Sequence, residues 1–255
     1  MSALFDLTGR TALITGAGRS LGLAYAEGLA AAGAAVVIND LHEANLTEAI
    51  SVLRAKSYQA RALAFDVTDE EAVAAAFAAL DREGVDVDIL INNAGIQFRK
   101  PLVDLELKDW QRVIDTNLTS AFIVGKQAAI RMIARGRGGK IINIGSVNSQ
   151  AARPTIAPYT TAKGGLVMLS RSMAAEWAQH GIQVNTLAPG YILTEMTQRL
   201  ADDPEFDAWV KSSNPARRWG KPEDLIGTVV YLASSASNYV NGQVIFVDGG
   251  WLSVL

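Results

Sequence analysis

Residues 11–22, Thr-Ala-Leu-Ile-Thr-Gly-Ala-Gly-Arg-Ser-Leu-Gly, decide how this chain folds. The stretch begins as a short apolar and β-branched run, which is typical of a buried strand, and continues into a glycine-rich turn. A helical, alanine-rich pattern follows from Leu21 to Ala32. Glycines let backbone N–H groups approach a ligand closely at the positive end of a helix, so the stretch predicts a pocket for the pyrophosphate of a dinucleotide. A glycine-rich turn without a ligand is the alternative.

An acidic residue closes the second predicted strand. Asp40 follows Ala-Val-Val-Ile-Asn and lies 24 residues after Gly16. A carboxylate at this place accepts hydrogen bonds from the ribose hydroxyls of NAD and would repel the 2′-phosphate of NADP. Arg19 favours the opposite choice if its side chain meets that phosphate rather than solvent. The sequence therefore predicts NAD, with NADP possible, and a helix N-cap role for Asp40 remains open.

The same alternation of short apolar runs and longer alanine-rich stretches continues along the chain, which favours a parallel sheet with crossover helices. The predicted strands are Thr11 to Thr15, Ala35 to Asn39, Arg61 to Phe65, Asp88 to Asn92, Lys140 to Gly145, Gln183 to Ala188 and Gln243 to Val247. The predicted helices are Leu21 to Ala32, His42 to Ser57, Asp69 to Glu83, Lys108 to Ala134, Tyr159 to Gln179 and Pro222 to Ser234. The segment from Pro189 to about Asn214 has no strong period and is predicted as a polar lid loop. We expect residues 1–255 to form a single α/β domain, a Rossmann-type doubly wound sheet of seven parallel strands.

The composition excludes several kinds of function. The net charge of -3 over 255 residues offers no basic surface for nucleic acid. There is no cysteine, and His42 and His180 lack ligand spacing, so we expect no disulfide and no metal. No apolar run reaches the length of a membrane span, and the first residues lack the pattern of a secretion signal. A cytoplasmic protein without a membrane or nucleic-acid partner is expected.

Tyr159 and Lys163 stand four residues apart, and a helix would place both side chains on one face. At about 4 Å and an effective dielectric constant of about 20, an ammonium stabilises a phenolate by roughly 4 kcal/mol. This would lower the pKa of the tyrosine from its ordinary value of about 10 to about 7. Taken alone, the pair fits a solvent-exposed helix face better, since such pairs are common there.

Together these motifs resemble the short-chain dehydrogenase/reductase family over the whole chain. Asp66-Val67 and Asn92-Asn93-Ala94-Gly95 follow the third and fourth predicted strands, and Pro189-Gly190 with Thr194 follows the sixth. Asn117 lies in the long helix before the fifth predicted strand, and Ser146 lies 13 residues before Tyr159. Ser20 stands where the family usually has glycine, and because serine is small we expect binding to survive. Structural alternatives are an Asx turn at Asp66, amides that bridge strands at Asn92 and Asn93, a helix kink at Asn117 and a loop hydroxyl at Ser146.

The resemblance implies an NAD(P)-dependent oxidoreductase that acts on CH–OH groups. It implies that Tyr159 is the general acid/base, that Lys163 lowers its pKa and binds the nicotinamide ribose, and that Ser146 holds the substrate oxygen. Asn117 would hold a water that passes the proton on. The implied cofactor-binding residues are Gly16, Arg19, Ser20, Leu21, Asp40, Leu41, Asp66, Val67, Asn93, Ala94, Gly95, Tyr159, Lys163, Pro189, Gly190, Ile192 and Thr194.

A narrower resemblance is to the gluconate 5-dehydrogenase branch of that family, and somewhat less to the ketodeoxygluconate dehydrogenases. It is carried by Asn-Asn-Ala-Gly-Ile-Gln at 92–97, Ala-Pro-Gly-Tyr at 188–191, Thr-Glu-Met-Thr at 194–197 and Asn-Pro-Ala-Arg-Arg-Trp-Gly at 214–220. The implied substrate is a sugar acid, which needs a cation for its carboxylate and several hydrogen-bonding groups for its hydroxyls. The candidate substrate residues are Gln97, Ser146, Asn148, Gln150, Arg153 and Tyr159, with Arg99 nearby. Gln150 replaces an acid that this branch commonly has, which changes the group that the pocket prefers.

Two other functions stay open. A non-catalytic nucleotide-sensing Rossmann protein would not need the complete set of Asn117, Ser146, Tyr159 and Lys163. A reductase of the same family could act on another sugar, a polyol or a 3-oxoacyl thioester, although Gln150 and Arg153 favour a polar substrate. The family resemblance also implies a homotetramer, joined through the two longest helices and the C-terminal strand.

Overall fold

The computed structural model describes residues 3–254 and contains one sheet of seven parallel strands. Along the sheet the order is β3-β2-β1-β4-β5-β6-β7. The strands are β1 (Thr11–Ile14), β2 (Ala35–Asp40), β3 (Ala60–Ala64), β4 (Ile89–Asn92), β5 (Gly139–Ile144), β6 (Ile182–Pro189) and β7 (Val244–Val247). The chain reverses its direction of travel across the sheet between β1 and β4, and such a switch opens a crevice at the carboxyl ends of the strands. The predicted doubly wound parallel sheet is confirmed.

Helices cover both faces of this sheet. They are α1 (Ser20–Ala31), α2 (Glu43–Ala55), α3 (Glu70–Arg82), α4 (Leu107–Ile114), α5 (Ser120–Arg135), α6 (Ala157–Trp177), α7 (Glu195–Ala201), α8 (Pro204–Ser213) and α9 (Glu223–Ala233). One core lies between the sheet and α1, α2 and α9, and the other between the sheet and α3, α5 and α6. Along residues 3–254, no helix is both long enough and apolar enough to cross a membrane.

Each central strand supplies side chains to both cores. In β1, Ala12 and Ile14 face the first core and Leu13 faces the second, and all three are fully buried. A strand that is covered on both faces reads as a continuous apolar run, because its period-two alternation places every side chain in a core. This is why the strands are visible in the sequence. Their predicted bounds, and those of most helices, lie within two residues of the observed ones.

The predicted single helix from Lys108 to Ala134 is interrupted. A π-helical turn, Asp115–Thr119, joins α4 to α5. In the middle of that turn the Asn117 amide nitrogen donates to the backbone oxygen of Val113 at 2.9 Å. A side chain that binds the helix backbone disturbs the regular i to i−4 ladder, and π turns of this kind are frequent at functional sites.

The expectation of an irregular loop between Pro189 and Asn214 is wrong, because the segment contains α7 and α8. The Asp203 carboxylate accepts from the backbone N–H groups of Glu205 (3.0 Å) and Phe206 (3.3 Å), and Pro204 occupies the first position of α8. At the start of α7, Thr194 and Thr197 form a capping box. Short helices of this kind depend on caps rather than on a long apolar period, so the periodicity did not indicate them.

A buried polar network ties α6 to the centre of the sheet. Asn143, fully buried in β5, accepts from the Asn92 amide in β4 (2.8 Å) and donates to the Ser170 hydroxyl in α6 (2.8 Å). Thr186 in β6 also bonds to that hydroxyl, at 2.9 Å. Because α6 carries Tyr159 and Lys163, this network fixes the helix that presents both groups.

We expect Asn143→Ala to lower the free energy of unfolding by about 1–3 kcal/mol, because inside the core the Asn92 amide keeps only its 3.4 Å hydrogen bond to Ala121 and the Ser170 hydroxyl loses one donor. Urea unfolding followed by far-ultraviolet circular dichroism measures the change. Gln183→Ala on neighbouring β6 is the control, since its side chain makes an exposed hydrogen bond to Gly181, and its change should stay within about 0.5 kcal/mol. Equal effects of the two substitutions would contradict a stabilising role for the network.

Candidate active site

A cleft of about 440 Å³ lies at the carboxyl ends of the strands, between the start of α1 and the start of α7. It collects most of the residues that the sequence indicates for cofactor and catalysis. These are Gly16, Arg19, Ser20, Leu21, Asp40, Asn93, Ala94, Gly95, Asn117, Ser146, Tyr159, Lys163, Pro189, Gly190, Ile192 and Thr194. The cleft volume falls within the usual range for small-molecule sites.

The glycine-rich turn forms one wall of the cleft, and its geometry requires small residues. Gly16 has a φ of +60°, and a Cβ at Gly22 would collide with the backbone oxygen of Gly16. Among residues 3–254, no side chain caps the start of helix α1, so its first N–H groups can bind a ligand. A pyrophosphate satisfies such groups and is favoured by the helix dipole. The residues present therefore fit a dinucleotide.

Ser20 adopts the left-handed backbone conformation, with a φ of +53°. Glycine adopts this conformation without cost, whereas a side chain makes it strained by roughly 1–2 kcal/mol. This is the position at which the family usually has glycine. The fold therefore accepts serine here at a small cost in stability.

Asp40 lies at the end of β2 and packs against the glycine-rich turn. A Cβ at Gly18 would come within 2.7 Å of its Oδ2. Its Oδ1 accepts from the backbone N–H of His42 (3.0 Å) and from the Asn45 amide (3.1 Å). The N-cap position of α2 belongs to His42, so the alternative of an N-cap role for Asp40 is not what the structure contains.

The turn and the start of α7 are joined across the cleft by an ion pair. Arg19 Nη1 lies 3.0 Å from the Glu195 carboxylate, and both side chains are about two-thirds exposed, at 64% and 66%. The sequence did not single out Glu195. The only indication in the sequence was its position directly after Thr194, in the Thr-Glu-Met-Thr motif at 194–197 that carries the family resemblance.

Tyr159 and Lys163 lie near each other on α6, with the Lys163 ammonium 5.6 Å from the centre of the Tyr159 ring. Lys163 is buried and donates to the backbone oxygen of Ile144 at 2.6 Å. Burial lowers the pKa of Lys163 to about 8, since the charged ammonium loses hydration. The exposed-face alternative for the pair is thereby wrong.

The expected lowering of the pKa of Tyr159 to about 7 is also wrong. Burial raises the pKa of the Tyr159 phenol, and its hydrogen bond with Ser146 offsets only part of that rise. The expectation assumed a stable ammonium beside the phenol and neglected burial, whereas burial also disfavours the cation on Lys163. The sequence could not reveal burial, which is the larger effect. Tyr159 is thus a neutral phenol in the ligand-free protein.

Ser146 and Asn117 are held rigidly around that phenol. The Ser146 oxygen accepts from the backbone N–H of Asn148 at 3.1 Å, which orients the hydroxyl. The Asn117 amide donates to the backbone oxygens of Ile96 and Val113, both at 2.9 Å, and accepts from the Ile96 N–H at 3.2 Å. Both N–H donors of the Asn117 amide are therefore used, its oxygen can accept one more hydrogen bond, and its role in holding a water stays a prediction.

Several predicted residues lie outside the cleft. From the cofactor set these are Leu41, which is 58% exposed, together with Asp66 and Val67. The Asp66 carboxylate accepts from both the N–H (2.8 Å) and the hydroxyl (2.7 Å) of Thr68, so the Asx-turn alternative describes its local structure. From the substrate set, Gln97, Asn148, Gln150 and Arg153 do not line the cleft either.

Arg153 instead joins an aromatic cluster at the segment from Pro189 to Asn214, for which we keep the name lid. The aromatic cluster consists of Tyr191, Phe206, Trp209, Trp219 and Trp251. Its guanidinium donates to the Tyr191 hydroxyl at 2.8 Å and lies 4.8 Å from the Phe206 ring centre and 5.2 Å from that of Trp209. The rings contact one another edge-on or tilted, with centres 4.7–6.3 Å apart. The cluster was not predicted, because its members are spread over 61 residues from Tyr191 to Trp251 and share no period.

Arg99 completes a pair of cations beside the lid. Burial lowers the pKa of the Arg99 guanidinium, and repulsion from Arg153 lowers it further. Within residues 3–254, neither arginine forms an ion pair with a carboxylate. In the same part of the chain, no group of three or more histidine, aspartate or glutamate side chains is arranged to hold a metal ion.

Known proteins share both this fold and this sequence. Residues 16–252 match a family model described as enoyl-(acyl carrier protein) reductase. The gluconate 5-dehydrogenase of Gluconobacter oxydans is 51% identical over 97% of this chain and 96% of its own length. A crystal structure of a protein from Agrobacterium tumefaciens is 62% identical with a TM-score of 0.98, and each chain covers 100% of the other.

A second solved structure carries a cofactor. It is a gluconate 5-dehydrogenase from Burkholderia cenocepacia in complex with NADP and tartrate, 48% identical over 99% of both chains with a TM-score of 0.96. These matches extend over nearly the whole sequence and agree with the cleft geometry. The chain therefore belongs to the short-chain dehydrogenase/reductase family, and it is an NAD(P)-dependent oxidoreductase that acts on CH–OH groups.

Proposed function

We propose that this enzyme interconverts a secondary alcohol and a ketone of a sugar acid, as the gluconate 5-dehydrogenases that it resembles do by name. The observation that carries this proposal is the pair of Arg99 and Arg153. Two guanidinium groups that repel each other beside a cleft, without a carboxylate partner among the described residues, are stabilised by an anionic ligand. The carboxylate of a sugar acid has the right charge and the planar geometry for such a fork.

We assign different roles to Arg153 and Arg99. Arg153 donates one hydrogen bond to the Tyr191 hydroxyl and stacks on the aromatic cluster. We therefore assign to it the roles of holding the lid and of adding positive charge. Arg99 has no hydrogen bond to another residue of the described chain and is free to turn toward a ligand. We infer that Arg99 is the principal carboxylate partner. Gln97, Asn148 and Gln150 make no side-chain hydrogen bonds within residues 3–254 and would meet the sugar hydroxyls once the lid region closes on a substrate.

We place the cofactor along the cleft by the groups that suit each of its parts. The pyrophosphate would lie on the free N–H groups at the start of α1, and the adenosine ribose beside Asp40. The nicotinamide end would lie between Tyr159 and the segment from Pro189 to Thr194. Asp66, Val67 and Leu41 flank the adenine side in this placement. When bound, the nicotinamide supplies or accepts the hydride.

Tyr159 handles the proton that accompanies the hydride. As a neutral phenol it donates to the carbonyl oxygen during reduction, and it takes the proton back during alcohol oxidation. Ser146, oriented by the Asn148 N–H, binds the same oxygen and stabilises the charge that develops on it. Lys163 supplies a fixed ammonium on the same helix face, and Asn117 would hold a water that leads to solvent. The completeness of this set is why a non-catalytic nucleotide sensor is not favoured.

We expect Tyr159→Phe to lower kcat by a factor of about 10²–10⁴, because the ring remains and only the proton donor is lost. Binding of the reduced cofactor, followed by its fluorescence, should change by no more than about twofold. Tyr239→Phe is the control, since Tyr239 is fully exposed. Full turnover by Tyr159→Phe would exclude this residue as the proton donor.

A panel of aldonates, uronates, polyols, neutral sugars and a 3-oxoacyl thioester, assayed with NAD and NADP by nicotinamide absorbance, tests the substrate class. Turnover should be fastest with sugar acids. Arg99→Gln should raise KM for the best acid by about tenfold or more, the worth of a charge-assisted hydrogen bond, and leave any residual activity on neutral sugars unchanged.

Arg82→Gln is the matched control for that substitution, because Arg82 ends α3 on an exposed surface. Its KM should equal that of the wild type. Turnover only with the thioester, or an equal loss on acids and neutral sugars in Arg99→Gln, would contradict the sugar-acid proposal.

We propose that the enzyme is a homotetramer. Support comes from apolar side chains on the outer faces of α5 and α6, where Phe122, Ile130 and Met168 are 46–56% exposed. The edge strand β7 also has a free side, and its residues Val244–Val247 are only half-buried. Apolar surface of this kind is commonly covered by another subunit.

Light scattering coupled to size exclusion should give four times the chain mass of 27.2 kDa. Phe122→Asp should shift the distribution toward smaller species, because a charge cannot be buried unpaired in an interface. Leu4→Asp, at a separate exposed apolar residue, should leave it unchanged. A monomeric wild-type protein would overturn the proposal.

We also infer that residues 1–255 act as one NAD(P)-binding catalytic domain in the cytoplasm. The groups assigned to the cofactor and to proton transfer share one edge of one sheet, so no second folded unit is needed to complete the site. The cytoplasm holds the nicotinamide cofactors that such an enzyme uses.

A further inference from the structure

The ion pair between Arg19 and Glu195 connects two parts of the molecule with different tasks. Arg19 is the residue before α1 in the glycine-rich turn, and Glu195 is the first residue of α7. Their charged groups are 3.0 Å apart, and both residues line the cleft. A cofactor group that attracts Arg19 must therefore compete with Glu195, whose ion pair with Arg19 holds the start of the lid.

Arg19 and Asp40 flank the place that we assign to the adenosine ribose. The Asp40 carboxylate packs against Gly18, the residue that directly precedes Arg19. Asp40 repels a 2′-phosphate, and Arg19 is the nearest cation in the turn that could compensate for it. In this structure, however, the Arg19 guanidinium is engaged by Glu195.

We propose that Glu195 is a specificity-determining residue for the cofactor. Its ion pair with Arg19 across the cleft keeps this cation away from the 2′-phosphate of NADP. There the cation would offset the repulsion between the phosphate and Asp40. NAD leaves the ion pair intact, whereas NADP has to break it. The inference rests on the cofactor placement proposed above and is independent of the substrate.

The same competition links the type of cofactor to the lid. The segment from α7 to α8 is held at its start by Arg19 through Glu195, and farther along by Arg153 through Phe206 and Trp209. With NADP bound the first of these two contacts is lost. The lid is then held less firmly in the NADP complex than in the NAD complex.

Glu195→Gln tests the specificity role, with dissociation constants for NADH and NADPH measured by fluorescence titration, so that no substrate is needed. An exposed ion pair is worth up to a factor of about five, so the NADPH-to-NADH affinity ratio should rise about two- to fivefold. In an Arg19→Gln background the same substitution should leave the ratio unchanged, because the partner of Glu195 is already absent.

Glu205→Gln is the matched control. It removes the same charge from the neighbouring helix α8, where Glu205 is exposed and forms no ion pair within the described chain. Its affinity ratio should equal that of the wild type. An equal change for both cofactors in Glu195→Gln, or a change that persists without Arg19, would overturn the inference.

Two further variants separate this inference from the placement of the ribose. Asp40→Ser should favour NADPH and Arg19→Gln should disfavour it. If both shift the ratio and Glu195→Gln does not, only the role of Glu195 falls. If neither shifts the ratio, the placement of the ribose falls with it.

Limited trypsin digestion tests the lid. Arg199 in α7 and Lys211 in α8 offer cleavage sites. At saturating cofactor, the NADP complex of the wild type should be cut there faster than the NAD complex, and Glu195→Gln should remove the difference. Equal cleavage of the two wild-type complexes would overturn the link between cofactor and lid.

Discussion

Hydrogen bonds between Thr15 and Asn93 hold together the point at which the sheet changes direction. The Thr15 hydroxyl accepts from the backbone N–H groups of Asn93 (3.0 Å) and Ala94 (3.1 Å). In return the Asn93 amide donates to the backbone oxygens of Thr15 (3.0 Å) and Gly16 (2.9 Å). Side chains that replace a missing strand-to-strand ladder in this way keep a crevice open without leaving buried polar groups unpaired. This junction fixes the positions of the glycine-rich turn and the start of α1. It also positions the backbone at Gly95, which lies next to the Asn117 side chain.

Tyr159 and Lys163 lie in buried surroundings that disfavour a charge on either side chain. Burial lowers the pKa of Lys163 and raises that of Tyr159, so each group is pushed toward its neutral form. The Ile144 backbone oxygen stabilises the cation on Lys163, because it accepts a hydrogen bond from the ammonium at 2.6 Å. Small changes in the surroundings therefore act strongly on the protonation of each group, since a low dielectric magnifies every nearby charge. In the ligand-free site both groups are held toward their neutral forms. When a ligand excludes the remaining water, nearby charges act on them more strongly.

The sequence predicted the sheet well because buried parallel strands such as β1 and β4 are apolar without interruption. It also predicted most of the cleft, since the motifs sit at strand ends, and parallel strands bring those ends to one edge. Four features could not be predicted from the sequence. The π turn at Asn117 and the helices after Thr194 are made by side chains that bind nearby backbone, which leaves no periodic pattern. The pKa of Tyr159 depends on burial, and the partners of Arg153, which are Tyr191, Phe206 and Trp209, lie far from it along the chain. The amides of Asn92 and Asn93 bridge strands, as the structural alternative expects, and the cofactor-binding role of Asn93 stays a prediction.

The aromatic cluster gives the lid a spectroscopic property. Three of the five tryptophans of the chain, Trp209, Trp219 and Trp251, lie in this cluster. The Trp209 and Trp251 rings are 5.1 Å apart, close enough for excitation to pass between them, and the Arg153 guanidinium lies 5.2 Å from the Trp209 ring. The ultraviolet emission of this protein is therefore weighted toward the lid rather than toward the sheet. A fluorescence-detected melting curve would report mainly the detachment of α8, and Trp177, which packs against the second core, would add a smaller signal from the unfolding of that core.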